Sequence, residues 1–168
     1  LEARGIQGLR PVSPAYLFYP PGEPCSVEIS FQRQEKNPRE SFFRWDGYSQ
    51  RWRPVPSFFQ STFLTASIPY FSIFAVWEDV QPPEIHPPGK WKRRCCVIPI
   101  RDYGLGIEEK SLRITWEEQI LEGEYDPDRG WWESDLSLEL HGGGSLRIHA
   151  CDKGGNCTER VFVYPALP

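Results

Sequence analysis

Short segments in which apolar and polar residues alternate recur along this sequence, and turn-forming residues separate them. Residues 25–31 (CSVEISF), 111–116 (SLRITW) and 145–150 (SLRIHA) carry an apolar side chain at every second position. This period of two is that of a strand with one buried face. The 17 prolines and 14 glycines disfavour long helices, whereas short strands and tight turns accept both. The sequence therefore predicts an all-β fold without helices.

Further segments complete the predicted set of strands. Residues 70–77 (YFSIFAVW) are apolar on both faces, which indicates a central strand that is covered on both sides. Asp46 and Gly47 stand between two aromatic stretches and predict a hairpin loop. The remaining strands are predicted at residues 61–67, 94–100, 136–140 and 160–164. Many short strands with frequent turns are typical of a β-sandwich.

A proline-rich segment divides the chain. Residues 78–90 (EDVQPPEIHPPGK) contain four prolines, which favour a semi-rigid, extended linker. The charge balance also changes there, because eight basic residues match eight acidic ones in residues 1–80, whereas 11 face 15 in residues 81–168. We therefore predict two tandem β-sandwich domains, residues 1–80 and residues 81–168.

Charge and cysteine content restrict the partners and the location. The net charge of −4 argues against a general phosphate-binding surface, so no nucleic-acid partner is expected. No apolar run reaches the roughly 18 residues of a membrane span. Five cysteines without CxxC spacing favour an oxidising, extracytoplasmic compartment. Since the sequence contains no methionine, we expect a processed product or a piece of a longer protein.

Cys151 and Cys157 flank the turn sequence DKGGN. If the middle three residues of that turn form a hairpin loop, the two cysteines lie directly opposite each other, at a spacing that a disulfide accepts. We predict this bridge. The alternative is a bridge from Cys95 or Cys96 to Cys151 or Cys157. Because the number of cysteines is odd, one thiol is left over, and Cys25 is the candidate.

The sequence offers few groups for catalysis. The three histidines, His86, His141 and His149, form neither an HxH nor an HExxH motif, and no acidic residue lies at a familiar ligand spacing. The GGGSL segment does not fit the GxSxG turn of a serine hydrolase. We therefore predict no catalytic residue and no metal centre built on histidine, and we expect that the chain is not an enzyme.

Calcium is the one candidate cofactor. Asp102 and Asp152 lie in predicted loops, and hard cations bind such carboxylates. Alternate loops of a sandwich gather at the same end, so these two residues, together with Asn156, form a candidate calcium site. Asp126 and Asp128 lie in YDPDRG, which is explained as a turn.

Tryptophans offer candidates for ligand binding. Trp131 and Trp132 are adjacent, so on a strand their side chains point to opposite faces. One ring is expected in the core, and the other is a candidate for stacking on a sugar. Trp52 is a further candidate. The alternative is that these rings fill the sandwich cores or the joint between the domains.

The motifs of the second half resemble those of a known family. Bacterial immunoglobulin-like modules open with a Pro-Pro pair, continue through an Asp-x-Gly-x-Gly-Ile element and a hairpin, and end in an Ala-x-Asp-x-x-Gly-Asn turn. The corresponding segments are PPEI (82–85), DYGLGI (102–107), GEYDPDRG (123–130) and ACDKGGN (150–156). Residues 81–168 thus resemble these modules, which occur in secreted and cell-surface proteins.

The first half is similar to the small β domain that often precedes such modules. The segments YLFYPPGEPCSVEISF, FFRWDGYSQRWRPVPS and FSIFAVWEDVQPPEI follow in the order typical of it. Some chains of this kind also carry a lysostaphin-like zinc peptidase domain. The resemblance implies a secreted, periplasmic or cell-surface location, and partners among the other domains or subunits of a surface assembly. It transfers no catalytic residue.

The expected function is that of a non-catalytic structural or adhesive module, which serves as a spacer, an assembly domain or a presentation domain. Two alternatives remain open. One is a module that binds polysaccharide or cell wall through exposed tryptophans. The other is the accessory C-terminal region of a cell-wall peptidase whose catalytic domain lies outside this chain.

Overall fold

A computed structural model describes residues 8–18, 26–69, 72–89, 96–134 and 143–165. Within these ranges the chain forms sixteen β-strands and one short 3-10 helix. The prediction of an all-β fold is confirmed. The contacts divide the chain into two compact units, Leu1–Gln81 and Pro82–Pro168, so the division falls one residue after the predicted boundary. The strand predicted at residues 136–140 lies outside the described residues.

The first unit consists of two antiparallel sheets. Its strands are β1 (Leu9–Pro11), β2 (Tyr16–Phe18), β3 (Ser26–Gln32), β4 (Glu40–Asp46), β5 (Arg51–Pro54), β6 (Ser57–Gln60), β7 (Phe63–Pro69) and β8 (Ser72–Asp79). Sheet I has the order β1-β8-β4-β5, and β2 also pairs with β8. Sheet II has the order β3-β7-β6.

Both sheets contribute to one core in the first unit. Phe42 and Val76 of sheet I and Leu64 and Ala66 of sheet II form a single buried cluster, as in a β-sandwich. Strand β8 is central, since it pairs with β4 on one side and with β1 and β2 on the other. The strand was predicted at residues 70–77 with both faces covered. Residues 75–77 of it are buried, as are the next two residues of β8, whereas residues 73 and 74 are half-buried, so coverage of both faces is confirmed for the second half of the strand.

The predicted hairpin at Asp46 is also confirmed. Strands β4 and β5 pair with Asp46 opposite Arg51. The Asp46 carboxylate accepts hydrogen bonds from the backbone N–H of Tyr48 at 3.1 Å and from the hydroxyl of Ser49 at 2.6 Å. These hydrogen bonds lower the pKa of Asp46, and the bond from the Ser49 hydroxyl has the largest effect. The side chain therefore stabilises the turn that it opens.

The second unit also consists of two antiparallel sheets. Its strands are β9 (Glu84–Ile85), β10 (Cys96–Arg101), β11 (Arg113–Trp116), β12 (Gln119–Ile120), β13 (Glu124–Asp126), β14 (Trp131–Ser134), β15 (Gly144–Cys151) and β16 (Cys157–Tyr164). Sheet III has the order β13-β14-β10-β9. Sheet IV has the order β12-β11-β15-β16.

One core again joins the two sheets of this unit. The buried cluster combines residues of sheet III (Ile98, Ile100 and Trp132) with residues of sheet IV (Ile114, Leu146, Ile148 and Ala150). The alternation predicted for residues 145–150 is confirmed, because every second side chain of β15 from Leu146 to Ala150 is fully buried.

The expectation of no helix needs one small correction. Glu109–Ser111 form a single 3-10 turn just before β11. The carboxylate of Glu108 accepts a hydrogen bond from the N–H of Lys110, and the N–H of Leu112 donates to the carbonyl of Glu109. The strand predicted at residues 111–116 is present as β11 (Arg113–Trp116), which pairs with β12. The turn is too short to produce a periodic apolar pattern, so sequence periodicity does not detect it.

Gly123 provides a test of the packing in the second unit. A Cβ atom added there would overlap the ring of Trp132 and the carbonyl oxygen of Glu133. Because the backbone must shift to admit it, we expect Gly123→Ala to lower the free energy of unfolding by about 2–3 kcal/mol. A Cβ at Gly89 would meet no atom within 4 Å, so Gly89→Ala is the control. Denaturant unfolding of both variants makes the comparison, and equal stabilities would contradict this packing.

Candidate functional site

The hairpin between β15 and β16 ends in a three-residue loop. The N–H of Asp152 donates to the carbonyl of Asn156 at 2.9 Å, and the N–H of Gly155 donates to the carbonyl of Asp152 at 3.1 Å. Gly155 has a φ of +86°, a left-handed conformation that glycine adopts without strain. This loop sets the register of the hairpin, in which Cys151 lies directly opposite Cys157.

Cys151 and Cys157 form a disulfide, as predicted, and their Cα atoms are 4.0 Å apart. The alternative bridge is ruled out, because each of these cysteines already carries its bond. Cys96 is 1% exposed and belongs to the core of the second unit. Cys25 and Cys95 lie outside the described residues. The disulfide therefore ties the end of β15 to the start of β16.

His149 lies beside this disulfide. It precedes Cys151 by two residues on β15, so both side chains point to the outer face of sheet IV. Its Nε2 is 3.4 Å from the Sγ of Cys151. Glu159 of β16 and Arg113 of β11 are its direct neighbours across the sheet. A carboxylate oxygen of Glu159 accepts a hydrogen bond from Arg147 at 2.7 Å.

The alternation of residues 145–150 places His149 on the polar face of its strand, but it does not by itself connect this histidine with the cysteines. The signal was present, because a His-x-Cys spacing on a strand brings two potential ligands to one face. Of the other histidines, His86 is half exposed, and its Nε2 lies 3.5 Å from the carboxylate of Glu84. His141 lies outside the described residues.

The residues predicted for calcium binding stabilise two loops. One carboxylate oxygen of Asp102 accepts hydrogen bonds from the N–H groups of Gly104 at 2.9 Å and Gly106 at 2.7 Å. The carboxylate of Asp152 accepts from the backbone N–H and from the side-chain amide of Asn156, both at 2.8 Å. Asp152 and Asn156 are buried. Each aspartate thus organises the backbone of its own loop.

The structure brings these two loops together. The N–H of Lys153 donates to the carbonyl of Gly106 at 2.9 Å, and Ile107 forms an isolated bridge with Asp152. As a result, a carboxylate oxygen of Asp102 lies within 4.8 Å of one of Asp152. This arrangement agrees with the expectation that the two loops are neighbours. Calcium binding there stays a prediction.

Negative charge near these loops affects the half-buried phenol of Tyr125. Burial, followed by the charges of Asp102, Glu109 and Asp126, raises the pKa of Tyr125 to about 12. The phenol consequently keeps its proton at neutral pH. Its hydroxyl donates a hydrogen bond to the carbonyl of Ile100 at 3.2 Å and so links β13 to β10, which β14 separates in sheet III.

The three tryptophans that were candidates for ligand stacking have different surroundings. Trp132 is 4% exposed and fills the core. Trp131 is half-buried, and the guanidinium carbon of Arg129 lies 5.2 Å from the centroid of its ring. Trp52 is also half-buried and packs against Trp45 at 5.6 Å and Trp77 at 5.7 Å between ring centroids.

Two phenylalanines that sequence reasoning missed are more exposed. Phe58 of β6 is 57% exposed, and Phe63 at the start of β7 is 42% exposed. They lie on the outer face of sheet II as diagonal neighbours, because Phe58 pairs with Thr65 and Phe63 pairs with Gln60. The adjacent pair Phe58-Phe59 was the available signal, since one of two neighbouring residues on a strand must face outward.

The first unit contains a pair of buried carboxylates. Glu40 of β4 and Glu78 of β8 lie directly opposite each other and are 6% and 7% exposed. The guanidinium of Arg33 donates two hydrogen bonds to Glu40, at 2.6 and 2.7 Å. Arg10 donates to Glu78 from Nε at 2.8 Å and also from Nη2. The side-chain amide of Asn37 lies between the carboxylates, 3.4 Å from Glu40 and 3.3 Å from Glu78.

The electrostatics of this pair favour a structural role. Burial raises the pKa of Glu78, but the hydrogen bonds from Arg10 and Asn37 outweigh burial, and the net shift is downward. A general acid needs the opposite shift, because it must hold a proton near neutral pH. The carboxylates therefore serve to connect the chain segments that carry Arg10, Arg33 and Asn37.

Comparisons of this sequence with protein-family models and with curated proteins find no match. Within the described residues, no helix has the length and apolar character needed to cross a membrane.

The lowered pKa of Glu78 predicts a pH dependence of stability. The Glu78 carboxylate binds its proton at a lower pH in the folded protein than in the unfolded chain. Its contribution to the free energy of unfolding is therefore present above about pH 4.5 and is lost as the pH falls further. We expect Glu78→Gln to lower the free energy of unfolding by about 1–2 kcal/mol at pH 7. Between pH 7 and pH 3 this variant should then lose less stability than the wild-type protein does.

Denaturant unfolding of the first unit between pH 3 and pH 7 measures this effect. The control is Glu28→Gln, which replaces an exposed carboxylate on β3 and should keep the wild-type profile. An unchanged acid profile in Glu78→Gln would show that the ion pair with Arg10 makes no net contribution.

Proposed function

We propose that this chain is a non-catalytic structural or adhesive module of an extracytoplasmic protein, and that its second unit is an immunoglobulin-like β-sandwich. The strand order of the second unit carries the immunoglobulin-like part of the proposal, since a strand order supports a fold and not by itself a function. Immunoglobulin domains place strands A, B, E and D in one sheet and C, F and G in the other, which C′ can extend. When β9 to β16 take the letters A, B, C, C′, D, E, F and G, sheet III reads D-E-B-A and sheet IV reads C′-C-F-G.

The disulfide supports the extracytoplasmic part of the proposal. Disulfides form and persist in oxidising compartments, whereas cytosolic thiols are kept reduced. Cys151 and Cys157 face each other across a hairpin, where the loop geometry itself brings them into bonding distance. The proposed location is therefore secreted, periplasmic or on the cell surface.

Strand β16 is the proposed contact with a second copy of the chain. It stands at the end of sheet IV and is eight residues long. Val161 and Val163 are 47% and 78% exposed and share the outer face of this strand. A long edge strand with exposed apolar side chains favours association through strand addition. A self-complementary contact of this kind is how a module contributes to assembly or adhesion.

Substitution at this strand tests the proposal. We expect the wild-type protein to self-associate at high concentration and Val161→Lys and Val163→Lys to weaken association at least about tenfold, because charges at an edge oppose pairing. Ile120→Lys is the matched control, since Ile120 is 70% exposed on β12 at the opposite end of the same sheet. Sedimentation velocity makes the measurement. A wild-type protein that stays monomeric at high concentration would rule out this mode of assembly.

A second candidate function is the binding of a neutral polysaccharide by the outer face of sheet II. Phe58 and Phe63 offer two adjacent exposed rings, and aromatic rings stack on the apolar faces of sugars. Amides and hydroxyls surround them, and these groups can exchange hydrogen bonds with sugar hydroxyls. The pairing of the strands places the exposed Gln32 and Gln60 beside Phe63. The exposed Ser30 lies on the same face, and its hydroxyl is 3.0 Å from that of the buried Thr65.

Loss of the two rings tests this candidate. We expect Phe58→Ala and Phe63→Ala each to lower the affinity for a bound polysaccharide about tenfold, because each ring is one of two stacking surfaces. Tyr48→Ala removes a fully exposed ring from the β4–β5 loop and is the control. Affinity electrophoresis and sedimentation with insoluble polysaccharides and peptidoglycan provide the measurement. The candidate fails if the wild-type protein binds none of them or if both phenylalanine variants bind normally.

A further inference from the structure

We propose that reduction of the Cys151–Cys157 disulfide creates a zinc site, in which Zn²⁺ binds the Nε2 of His149 and the thiolates of Cys151 and Cys157. The ligand atoms of these three residues all lie within 4.8 Å of one another. Imidazole nitrogen and cysteine thiolate are the ligands that zinc prefers in proteins.

The distance between His149 and Cys151 already fits a tetrahedral site. With Zn–N bonds of about 2.0–2.1 Å and Zn–S bonds of about 2.3 Å, tetrahedral angles require an N···S separation of about 3.6 Å. The Nε2 of His149 lies 3.4 Å from the Sγ of Cys151. One edge of the coordination tetrahedron is therefore present before the metal binds.

The backbone holds all three ligands in suitable positions. His149 and Cys151 are two residues apart on β15 and share one face, and Cys157 lies directly opposite Cys151 on β16. Continuous antiparallel pairing from Gly144 to Cys151 fixes these two strands relative to each other. Metal binding then requires that the two sulfur atoms separate to about 3.8 Å and that the Nε2 of His149, which lies within 4.8 Å of the Sγ of Cys157, comes to about 3.6 Å from it. We expect side-chain rotation to supply both changes.

Reduction can begin at the exposed sulfur. Cys157 is exposed and Cys151 is half-buried, so a thiolate of a dithiol reductant can attack the Sγ of Cys157 and release Cys151 as a thiolate. The second thiol of the reductant then attacks the mixed disulfide, which releases Cys157 and leaves the reductant as a disulfide. Two electrons and two protons pass to the protein. Zinc binding returns the two thiol protons to solvent.

The charges around the site are compatible with this ligand set. Two thiolates neutralise the charge of Zn²⁺, so the metal-bound centre carries no net charge. The neighbouring cations Arg113 and Arg147 therefore do not repel it. Glu159 lies directly opposite His149 but accepts a hydrogen bond from Arg147, so we assign the fourth position to water. Soft sulfur ligands select zinc over the hard cations that carboxylates prefer.

The site gives the hairpin a cross-link in two redox states. The disulfide joins β15 to β16 when the protein is oxidised, and zinc joins the same residues when it is reduced. The register of the last strand pair is thus maintained in both conditions, independently of the structural role proposed above.

Cobalt and zinc titrations of the reduced protein test the proposal. After reduction with a trialkylphosphine, which leaves no competing thiol, we expect one Co²⁺ per chain with thiolate-to-metal charge-transfer absorption, displaced by Zn²⁺. The oxidised protein should show neither. We expect His149→Gln to weaken binding at least tenfold and His86→Gln, at the half-exposed histidine outside this site, to leave it unchanged.

A second measurement locates the metal among the five cysteines. Zn²⁺ should slow alkylation of Cys151 and Cys157, mapped by peptide mass, and should have no effect at the other three. The double variant Cys151→Ser/Cys157→Ser keeps those three cysteines, and its circular dichroism checks the fold. A metal affinity equal to that of the wild-type protein, in the double variant or in His149→Gln, would overturn the proposal. So would a result in which Zn²⁺ protects only the other three cysteines from alkylation.

Discussion

The antiparallel register of β15 between β11 and β16 is the constraint on which the second unit depends. It directs Leu146, Ile148 and Ala150 into the core and places His149 and Cys151 on the outer face. A slip of one residue would bury the imidazole and expose the aliphatic side chains, so the register is strongly determined. The Lys153–Gly154–Gly155 loop and the disulfide hold the end of the hairpin at which this register begins.

Buried polar groups connect chain segments in both units. In the first unit, Glu40 and Glu78 accept hydrogen bonds from arginines that lie 7 and 68 residues away in sequence. In the second, Asp152 organises the hairpin loop with both of its carboxylate oxygens. A buried carboxylate without such partners would be costly. These carboxylates are therefore engaged in the fold.

The groups on which the proposed interactions depend lie on the outer faces of two sheets. The outer face of sheet II presents phenylalanines, and that of sheet IV presents the valines of β16 together with His149 and the disulfide. Each face belongs to a strand whose opposite side is buried in a core. Two packed sheets thus hold these surface side chains on strands whose position the core fixes, as the proposed role of a contact module would require.

Local sequence patterns determined the elements of this protein. Alternation along residues 145–150 predicted both the strand and its buried face, and the turn DKGGN predicted the loop that brings Cys151 opposite Cys157. The Asp46 hairpin and the buried character of β8 were equally predictable. These features depend on residues that are close in the chain, where backbone geometry and the period of two act directly.

Only the tertiary structure decided which side chains meet. Alternation assigned His149 to the polar face but did not reveal its contact with Cys151, and Glu40 and Glu78 were two among 23 acidic residues. Alternation likewise could not show that the ring of Phe58 stays exposed while that of Trp132 is buried. The physical reason is that a strand pattern specifies two faces, whereas strand order, register and sheet packing choose the neighbours on each face.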